Sequence, residues 1–331
     1  MLLDRLYLEA PFERRGDSGE VTVAALFATL RECFAKFGEG EKTIGSRLKF
    51  QASRRASMSQ HIAKTVLGPI EYRLEGMGPT IMVLNGGHCS RDTRLSHETL
   101  MQHGFSVLTP SRPGYDSTPS SVGTSAQAAA DALAALLDTL QITTVDVIGI
   151  SAAGPTALAF AQRHPARTRK LILESAVTTD WDEQTKRGSR LLFGRAEKVT
   201  WAFMHLMLKL FPTVMIKALL HDLTVLDVNE VVKRMTEDDL TFIKRMLQTL
   251  RSGTGFINDI EHRVDKLASI SVPVLVMYSP NDRTVSPKNA QRISDEVETC
   301  ELYAVPSDTH LIWIGKTAEE VWQKRLSFLK L

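Results

Sequence analysis

The chain has 331 residues, of which 43% are hydrophobic and 24% charged, and its formal net charge is +2. It is long enough for one large α/β domain with an insertion, and its near balance of charge gives no reason to expect a nucleic acid or an anionic membrane surface as partner. The N-terminus lacks the features of a secretion signal, and no apolar run approaches membrane-spanning length. The three cysteines show no metal-ligand spacing. We therefore expect a cytoplasmic protein without a structural metal.

Residues 1–66 precede the first convincing strand and are predicted to form a helical extension. Within them, Val21 to Phe37 carries apolar residues at helical spacing. Residues 70–74 then alternate like a partly exposed strand, and residues 81–84 form a fully apolar one. The turn residues Gly76-Met77-Gly78-Pro79 between them predict a β-hairpin that leads into the sheet.

Strand and helix patterns alternate through the next hundred residues. Phe105 to Pro110 has the pattern of a strand, Thr124 to Leu140 that of an amphipathic helix, and Val145 to Ile150 that of a second strand. This alternation is typical of an α/β domain. After a buried strand at residues 171–173 the alternation stops, and residues 178–265 carry mainly helical patterns.

The strand at residues 145–150 ends at Ser151, and an alanine-rich helix begins within a few residues. A serine at such a sharp turn is held in a strained conformation with its hydroxyl exposed above the sheet edge, and Gly149 and Gly154 let the backbones pass closely. The N–H of Ala152 lies at the helix N-terminus, where it can receive a developing oxyanion. The turn therefore predicts a nucleophile and one oxyanion donor, although alone it also fits a tight turn in any doubly wound domain.

The segment Gly149-Ile150-Ser151-Ala152-Ala153 resembles the G-x-S-x-G nucleophile elbow of the α/β-hydrolase family, with alanine at the last position. The resemblance covers residues 68–331 and implies the α/β-hydrolase fold, with a mostly parallel central sheet, helices on both faces and a helical cap insertion. It implies a core at residues 67–177 and 266–331 and a cap at residues 178–265. We expect a small-molecule substrate and no cofactor.

In this family the acid of a Ser-His-Asp triad lies on the loop after a late strand. Asp282 follows the predicted strand at residues 272–278 and has Val285 three residues later, as in the family pattern, although Ser279 replaces the usual glycine. The resemblance therefore implies that Asp282 is the acid, which holds the histidine in one tautomer and stabilises its imidazolium. A loop aspartate is otherwise usually a turn-former.

The general base of the family follows the last strand and precedes the C-terminal helix. His310 has this position, with Thr309 in place of the usual glycine. The chain order Ser151, Asp282, His310 is the order that the fold imposes. The alternative is a loop histidine bonded locally to Asp308, which is also a rival for the acid.

The segment Asn85-Gly86-Gly87-His88 stands where the family carries a His-Gly-x or His-Gly-Gly motif that supplies the second oxyanion donor. Matching the glycines makes the N–H of Gly87 that donor, with His88 as the alternative if the loop is shifted. The glycines also fit a loop that merely needs positive φ. The His88 side chain precedes the nucleophile in the chain and is predicted to contact substrate rather than to act as base.

Two neighbouring features receive no catalytic role. Ser111 to Thr118 is similar to the family's R-P-G-[YF]-G-x-[ST] loop, with Asp116 in place of a glycine, which implies an architectural role. Cys89 adjoins the predicted oxyanion loop but has no base nearby in the sequence, so it is a weak candidate for a nucleophile.

The apolar, methionine-rich segment from Trp201 to Leu220 lies where the family often carries a cap over the active site. Its charged residues rule out a membrane span. Flexible methionines suit irregular apolar ligands, so Trp201 and Met204 are candidate substrate contacts, with ordinary core packing as the alternative.

Together these residues predict a serine hydrolase that cleaves a carboxylic ester or related acyl bond of a small, largely apolar substrate. His310 would deprotonate Ser151, and the N–H groups of Ala152 and Gly87 would receive the oxyanion. One alternative keeps the triad but cleaves a carbon–carbon bond, a lactone or a thioester. Another is a non-catalytic ligand-binding protein that retains the pocket.

Overall fold

The computed structural model describes residues 61–330, so the predicted helix at Val21 to Phe37 lies outside the described residues. Eight strands form one sheet. They are β1 (His61–Thr65), β2 (Gly68–Gly76), β3 (Thr80–Leu84), β4 (Ser106–Pro110), β5 (Val145–Ile150), β6 (Thr168–Glu174), β7 (Val274–Tyr278) and β8 (Cys300–Ala304). The helices are α1 (Ala126–Thr139), α2 (Gly154–Arg163), α3 (Glu183–Phe193), α4 (Glu197–Leu210), α5 (Pro212–Leu223), α6 (Val228–Arg234), α7 (Glu237–Thr249), α8 (Gly255–Asp259), α9 (Lys288–Glu296) and α10 (Ala318–Lys330).

The sheet is mostly parallel, with the strand order β1-β2-β4-β3-β5-β6-β7-β8. The β1–β2 and β2–β4 pairs are antiparallel, and every other pair is parallel. In an open sheet of this kind, ligands bind beyond the carboxyl ends of the parallel strands. The loops that follow β3, β5, β7 and β8 all leave from that edge, and they carry the predicted oxyanion donor, nucleophile, acid and base.

The hairpin predicted between residues 70–74 and 81–84 is wrong. Strand β2 pairs with β1 and β4, and β4 lies between β2 and β3. The actual hairpin turns at Val66-Leu67, where the Thr65 hydroxyl donates to the carbonyl of Gly68 at 2.7 Å and accepts from the N–H of Leu67 at 3.1 Å. Strand β1 therefore lies inside residues 1–66, which were predicted to precede the sheet. Because both turn residues are apolar, a search for turn-forming residue types does not detect this hairpin.

Alternate residues of the strands face two separate apolar layers, as the period of two in a strand requires. Ile81, Ile148 and Ile172 pack with α10 and with helices of the segment from α3 to α8. Met82 and Val147 pack on the other face with α1, α2 and α9. The sheet thus carries helices on both faces, as predicted.

Six helices, α3 to α8, fill residues 183–259 between β6 and β7, where mainly helical structure was predicted. The apolar side chains of Trp201, Leu208 and Met215 belong to the same buried cluster as Ile148 of the sheet. Across residues 61–330, no helix has the length and apolar character needed to cross a membrane.

Candidate active site

The turn between β5 and α2 holds Ser151 at φ 51°, a left-handed conformation that is rare outside glycine. The carbonyl of Ser151 accepts a hydrogen bond from the N–H of Val177 at 2.9 Å. A Cβ on Gly154 would lie 2.0 Å from the carbonyl oxygen of Val177, so this turn requires glycine at that position. Non-glycine residues at positive φ store strain of about 1–3 kcal/mol, and such residues concentrate at functional sites.

Asp282 and His310 form a buried pair after β7 and β8. The Nδ1 atom of His310 lies 2.6 Å from Oδ2 of Asp282, and their side chains are 6% and 0% exposed. The other carboxylate oxygen, Oδ1, accepts from the N–H of Val285 at 2.9 Å. A carboxylate at Nδ1 keeps a proton on that nitrogen and leaves Nε2 as the basic atom.

Asp308, the rival for the acid, faces another partner. Its Oδ2 accepts a hydrogen bond from Nε of Arg234 at 2.9 Å, and its side chain is 40% exposed. The imidazole of His310 is therefore held by Asp282, 28 residues away in the chain, and not by its near neighbour.

A short segment after β6 links the elbow to the histidine loop. The hydroxyl of Ser175 donates to the carbonyl of His310 at 2.8 Å, and two residues later Val177 donates to Ser151. The side chains of Ser151 and His310 do not hydrogen-bond to each other in this structure.

The loop after β3 lies directly against the elbow. A Cβ on Gly86 would lie 3.0 Å from Cβ of Ser151, and one on Gly87 would lie 2.9 Å from the ring of Phe256 and 3.4 Å from Cβ of Ala152. Neither glycine has a positive φ. Close approach to neighbours, rather than backbone handedness, therefore explains the glycine pair.

Asn85 holds the same loop in shape. Its Nδ2 donates to the carbonyls of Ser90 at 2.8 Å and Thr93 at 2.9 Å. The N–H of His88 points to the hydroxyl of Tyr115, at 3.4 Å. These hydrogen bonds fix the backbone on both sides of Gly86 and Gly87.

The His88 ring is enclosed by aromatic side chains. Its centroid lies 3.9 Å from that of Phe256, 4.4 Å from that of Phe193 and 5.3 Å from that of Trp201. Burial, and to a smaller degree the positive charge of Arg112, lowers the pKa of His88 to about 3. The ring is therefore neutral at physiological pH.

A buried serine contacts the His88 ring. Oγ of Ser252 accepts from the indole N–H of Trp201 at 2.7 Å and lies 2.7 Å from Nδ1 of His88. Because the indole can only donate, Oγ keeps its own proton, which it can donate to Nδ1. In that arrangement the ring proton of His88 lies on Nε2, which is then a hydrogen-bond donor.

Trp201 and Met204, the other predicted substrate contacts, differ in their relation to His88. Trp201 is 3% exposed and touches both His88 and Ser252, whereas Met204 is partly buried against the same apolar cluster. Burial raises the pKa of the Cys89 thiol to about 12, which removes it as a nucleophile near neutral pH.

Several residues around the site had no assigned role in the sequence analysis. Phe193, Ser252 and Phe256 lie on α3, between α7 and α8, and on α8, more than a hundred residues from His88 along the chain. Nothing in their local sequence separates them from ordinary helix or loop residues.

The fold is that of an α/β hydrolase. Residues 80–314 match the family model described as the alpha/beta hydrolase fold. The chain belongs to this family and is a hydrolase.

Named relatives and solved structures point the same way. The uncharacterized hydrolase YcgS of Bacillus subtilis is 35% identical over 271 residues, which are 80% of this chain and 95% of YcgS. A 2-hydroxy-6-oxononadienedioate/2-hydroxy-6-oxononatrienedioate hydrolase of Pseudomonas putida is 26% identical over 215 residues, 62% of this chain and 71% of the relative. A solved α/β hydrolase fold protein from Nakamurella multipartita superposes with a TM-score of 0.70 at 24% identity, over 81% of this chain and 97% of that one.

Proposed function

We propose that this hydrolase cleaves a carboxylic ester or a related acyl bond of a small, largely apolar substrate. Ser151 is the nucleophile, His310 the general base and Asp282 the acid of the triad. The observation that carries the proposal is the buried 2.6 Å hydrogen bond between His310 Nδ1 and Asp282, on loops that leave the same sheet edge as Ser151.

In the first half-reaction, Nε2 of His310 takes the proton of Ser151 as Oγ attacks the substrate carbonyl carbon. The carbonyl π electrons move to oxygen, and the N–H groups of Ala152 and Gly87 stabilise the resulting oxyanion. Collapse of this intermediate expels the alcohol, which receives its proton from the imidazolium that Asp282 stabilises. Water, deprotonated by His310, then attacks the acyl carbon. The bond from that carbon to Ser151 Oγ breaks, Oγ takes the proton back from the imidazolium, and the acid leaves. The Ser151–His310 hydrogen bond is part of the proposal, since such bonds often tighten only when substrate is bound.

Gly87 is preferred to His88 as the second oxyanion donor. The N–H of His88 already points to the Tyr115 hydroxyl, at 3.4 Å. Gly87 lies against Ala152, whose N–H is the first donor.

The rings around His88 support an apolar substrate. Phe193, Trp201 and Phe256 belong to α3, α4 and α8, so the helices of residues 178–265 would act as the cap and line the pocket. Within this apolar wall, the Nε2–H of His88 would donate to an oxygen of the substrate, and Met204 would adjust to its apolar part.

Cleavage of a carbon–carbon bond is the second candidate function. It is favoured by the 26% identity to the Pseudomonas putida hydrolase. The same serine, base and oxyanion donors would serve it, so only the substrate distinguishes the two. A screen of aryl esters of increasing acyl length beside a vinylogous diketone tells which bond is cleaved.

The triad is tested by replacing Ser151 with alanine. In Ser151→Ala we expect hydrolysis of p-nitrophenyl butyrate to fall by up to about a millionfold and labelling by a fluorophosphonate probe to disappear. Ser327→Ala, which removes an exposed hydroxyl on α10, serves as the control and should retain both. Equal hydrolysis by Ser151→Ala and the parent would overturn the assignment.

A further inference from the structure

A buried arginine lies beneath the predicted oxyanion loop. The Arg112 side chain is 2% exposed and donates from Nε to the carbonyl of Asn85 at 2.9 Å and from Nη2 to the carbonyl of Gly86 at 3.0 Å. Its Nη1 pairs with the carboxylate of Asp259. One guanidinium group therefore binds two consecutive backbone carbonyls and one buried acid.

Asp259 and Tyr115 hold this guanidinium in place. The other carboxylate oxygen of Asp259 accepts from the Tyr115 hydroxyl at 2.5 Å, and the guanidinium carbon lies 4.9 Å from the Tyr115 ring centroid. Burial is the largest single influence and lowers the pKa of Arg112, but the charge and hydrogen bond of Asp259, together with Tyr115 and Cys89, outweigh it and the pKa is raised. Arg112 is thus a permanent cation with a fixed orientation.

The two carbonyl contacts determine where the neighbouring N–H groups point. In a planar trans peptide the C=O and the following N–H are antiparallel, and no peptide bond between residues 61 and 330 is cis. Because the carbonyl of Gly86 is held toward Arg112, the N–H of Gly87 must point away from it. The Asn85 carbonyl orients the N–H of Gly86 in the same way.

We propose that Arg112 is a positioning residue that fixes these two peptide planes, so that the N–H of Gly87 is oriented for the oxyanion before substrate arrives. Asp259 completes the device by holding Arg112. The inference rests on the proposed function, because it assumes that Gly87 is an oxyanion donor. Donors that are already oriented stabilise a transition state without reorganisation at the moment of reaction.

Asp259 comes from a segment 147 residues beyond Arg112, in the region predicted to form the cap. The same segment also hydrogen-bonds to the backbone of His88 and to that of Gly114, in the loop that carries Arg112. The N–H of Arg251 donates to the carbonyl of His88 at 2.8 Å, and the N–H of Gly255 donates to the carbonyl of Gly114 at 3.0 Å. Residues 251–259 therefore act as the outer support of the oxyanion loop.

The test compares two arginine-to-lysine variants. In Arg112→Lys a single amine replaces the fork, so it cannot bind Asp259 and both carbonyls in the same geometry. Arg169 is the matched control, because it pairs with Asp146 and donates to the carbonyls of Thr144 at 3.0 Å and Thr80 at 2.9 Å, at the amino ends of the strands. It thus makes the same kind of contacts at the edge opposite the site.

For Arg112→Lys we expect kcat to fall about 10- to 100-fold with KM within twofold, because a misplaced donor weakens only transition-state binding. Affinity for an alkyl trifluoromethyl ketone, which places an oxyanion in the hole, should fall by a similar factor. Arg169→Lys should keep kcat within twofold, even if its melting temperature falls by as much as that of Arg112→Lys.

Unchanged kcat in Arg112→Lys, or a change confined to KM, overturns the inference and leaves the role of Ser151 intact. Equal kcat losses in the two lysine variants also overturn it, because the effect would then be one of stability. If Arg112→Lys does not fold, Tyr115→Phe keeps the ring and removes the hydroxyl that donates to Asp259 and lies 3.4 Å from the N–H of His88. That variant should lower kcat and the affinity for the ketone together, and an unchanged kcat there is equally decisive against the inference. Full activity of Ser151→Ala would instead refute the proposed function.

Discussion

His88 should make the folded protein sensitive to mild acid. Its pKa is about 3 in the folded state, chiefly because burial disfavours the imidazolium, against an ordinary value of 6.5. Between these values the unfolded chain binds a proton that the folded chain does not. Falling pH therefore favours unfolding through this group, and the loss begins near pH 6.5 and continues to about pH 3.

The size of the effect follows from the two pKa values. At pH 5 the medium is 1.5 units below the ordinary value of 6.5, which corresponds to a penalty of about 2 kcal/mol, and at pH 7 the penalty is close to zero. We propose His88→Asn as the perturbation, because asparagine tolerates the φ of 62° at this position and its amide oxygen can accept from Ser252 in place of Nδ1. The variant has no group to protonate here.

Urea unfolding followed by tryptophan fluorescence at pH 7 and pH 5 measures the difference. Between these pH values the parent should lose about 2 kcal/mol more of its free energy of unfolding than His88→Asn loses. All other titrating groups are common to both proteins and cancel in the comparison. Equal losses in parent and variant would refute the placement of His88 in a site that excludes its charged form.

Two further outcomes follow from the same region. Gly154→Ala should lower the free energy of unfolding by about 1–3 kcal/mol and reduce activity, because its Cβ would lie 2.0 Å from the Val177 carbonyl oxygen. The control Gly188→Ala, on α3 with open space around its Cβ, should raise the free energy of unfolding by up to about 1 kcal/mol. Urea melts and ester hydrolysis measure both variants, and an unchanged Gly154→Ala would contradict the tight elbow. Iodoacetamide at pH 8 should leave activity unchanged, because the Cys89 pKa of about 12 leaves almost no thiolate to react. Cys89→Ala should also retain activity, because the thiol is not the nucleophile. Inactivation with modification of Cys89 would contradict this.

The predictable parts of the site are those encoded locally. A strand, a serine and a helix within a dozen residues are visible in one window, and the structure places Ser151 on such a turn at positive φ. Asp282 and His310 were predicted as loop residues after strands, and their 2.6 Å contact follows from the parallel sheet that brings those strand ends together. That the three side chains act together remains a prediction.

The parts that could not be predicted depend on long-range contacts between unremarkable residues. Arg112 was assigned to an architectural loop, and nothing near Asp259 in the sequence marks it as its partner, 147 residues away. The β1–β2 hairpin was missed for a different reason, because Val66 and Leu67 are not turn-forming residue types. Strand β1 forms because β2, paired with β4, leaves its other edge open for pairing. A local sequence pattern carries no information about that edge.

The segment between β6 and β7 contacts the proposed catalytic loops directly through backbone hydrogen bonds. At the end of α5, the carbonyl of Leu223 accepts from the N–H of His310 at 2.9 Å, and the N–H of Val225 donates to the carbonyl of Asn281, beside Asp282, also at 2.9 Å. Residues 251–259 support the oxyanion loop on the other side. Changes in these two segments should therefore alter kcat, because they move the reacting groups. Changes at Phe193, whose ring packs against those of His88, Trp201 and Phe256 and makes no contact with the loops of Asp282 and His310, should alter the choice of substrate instead.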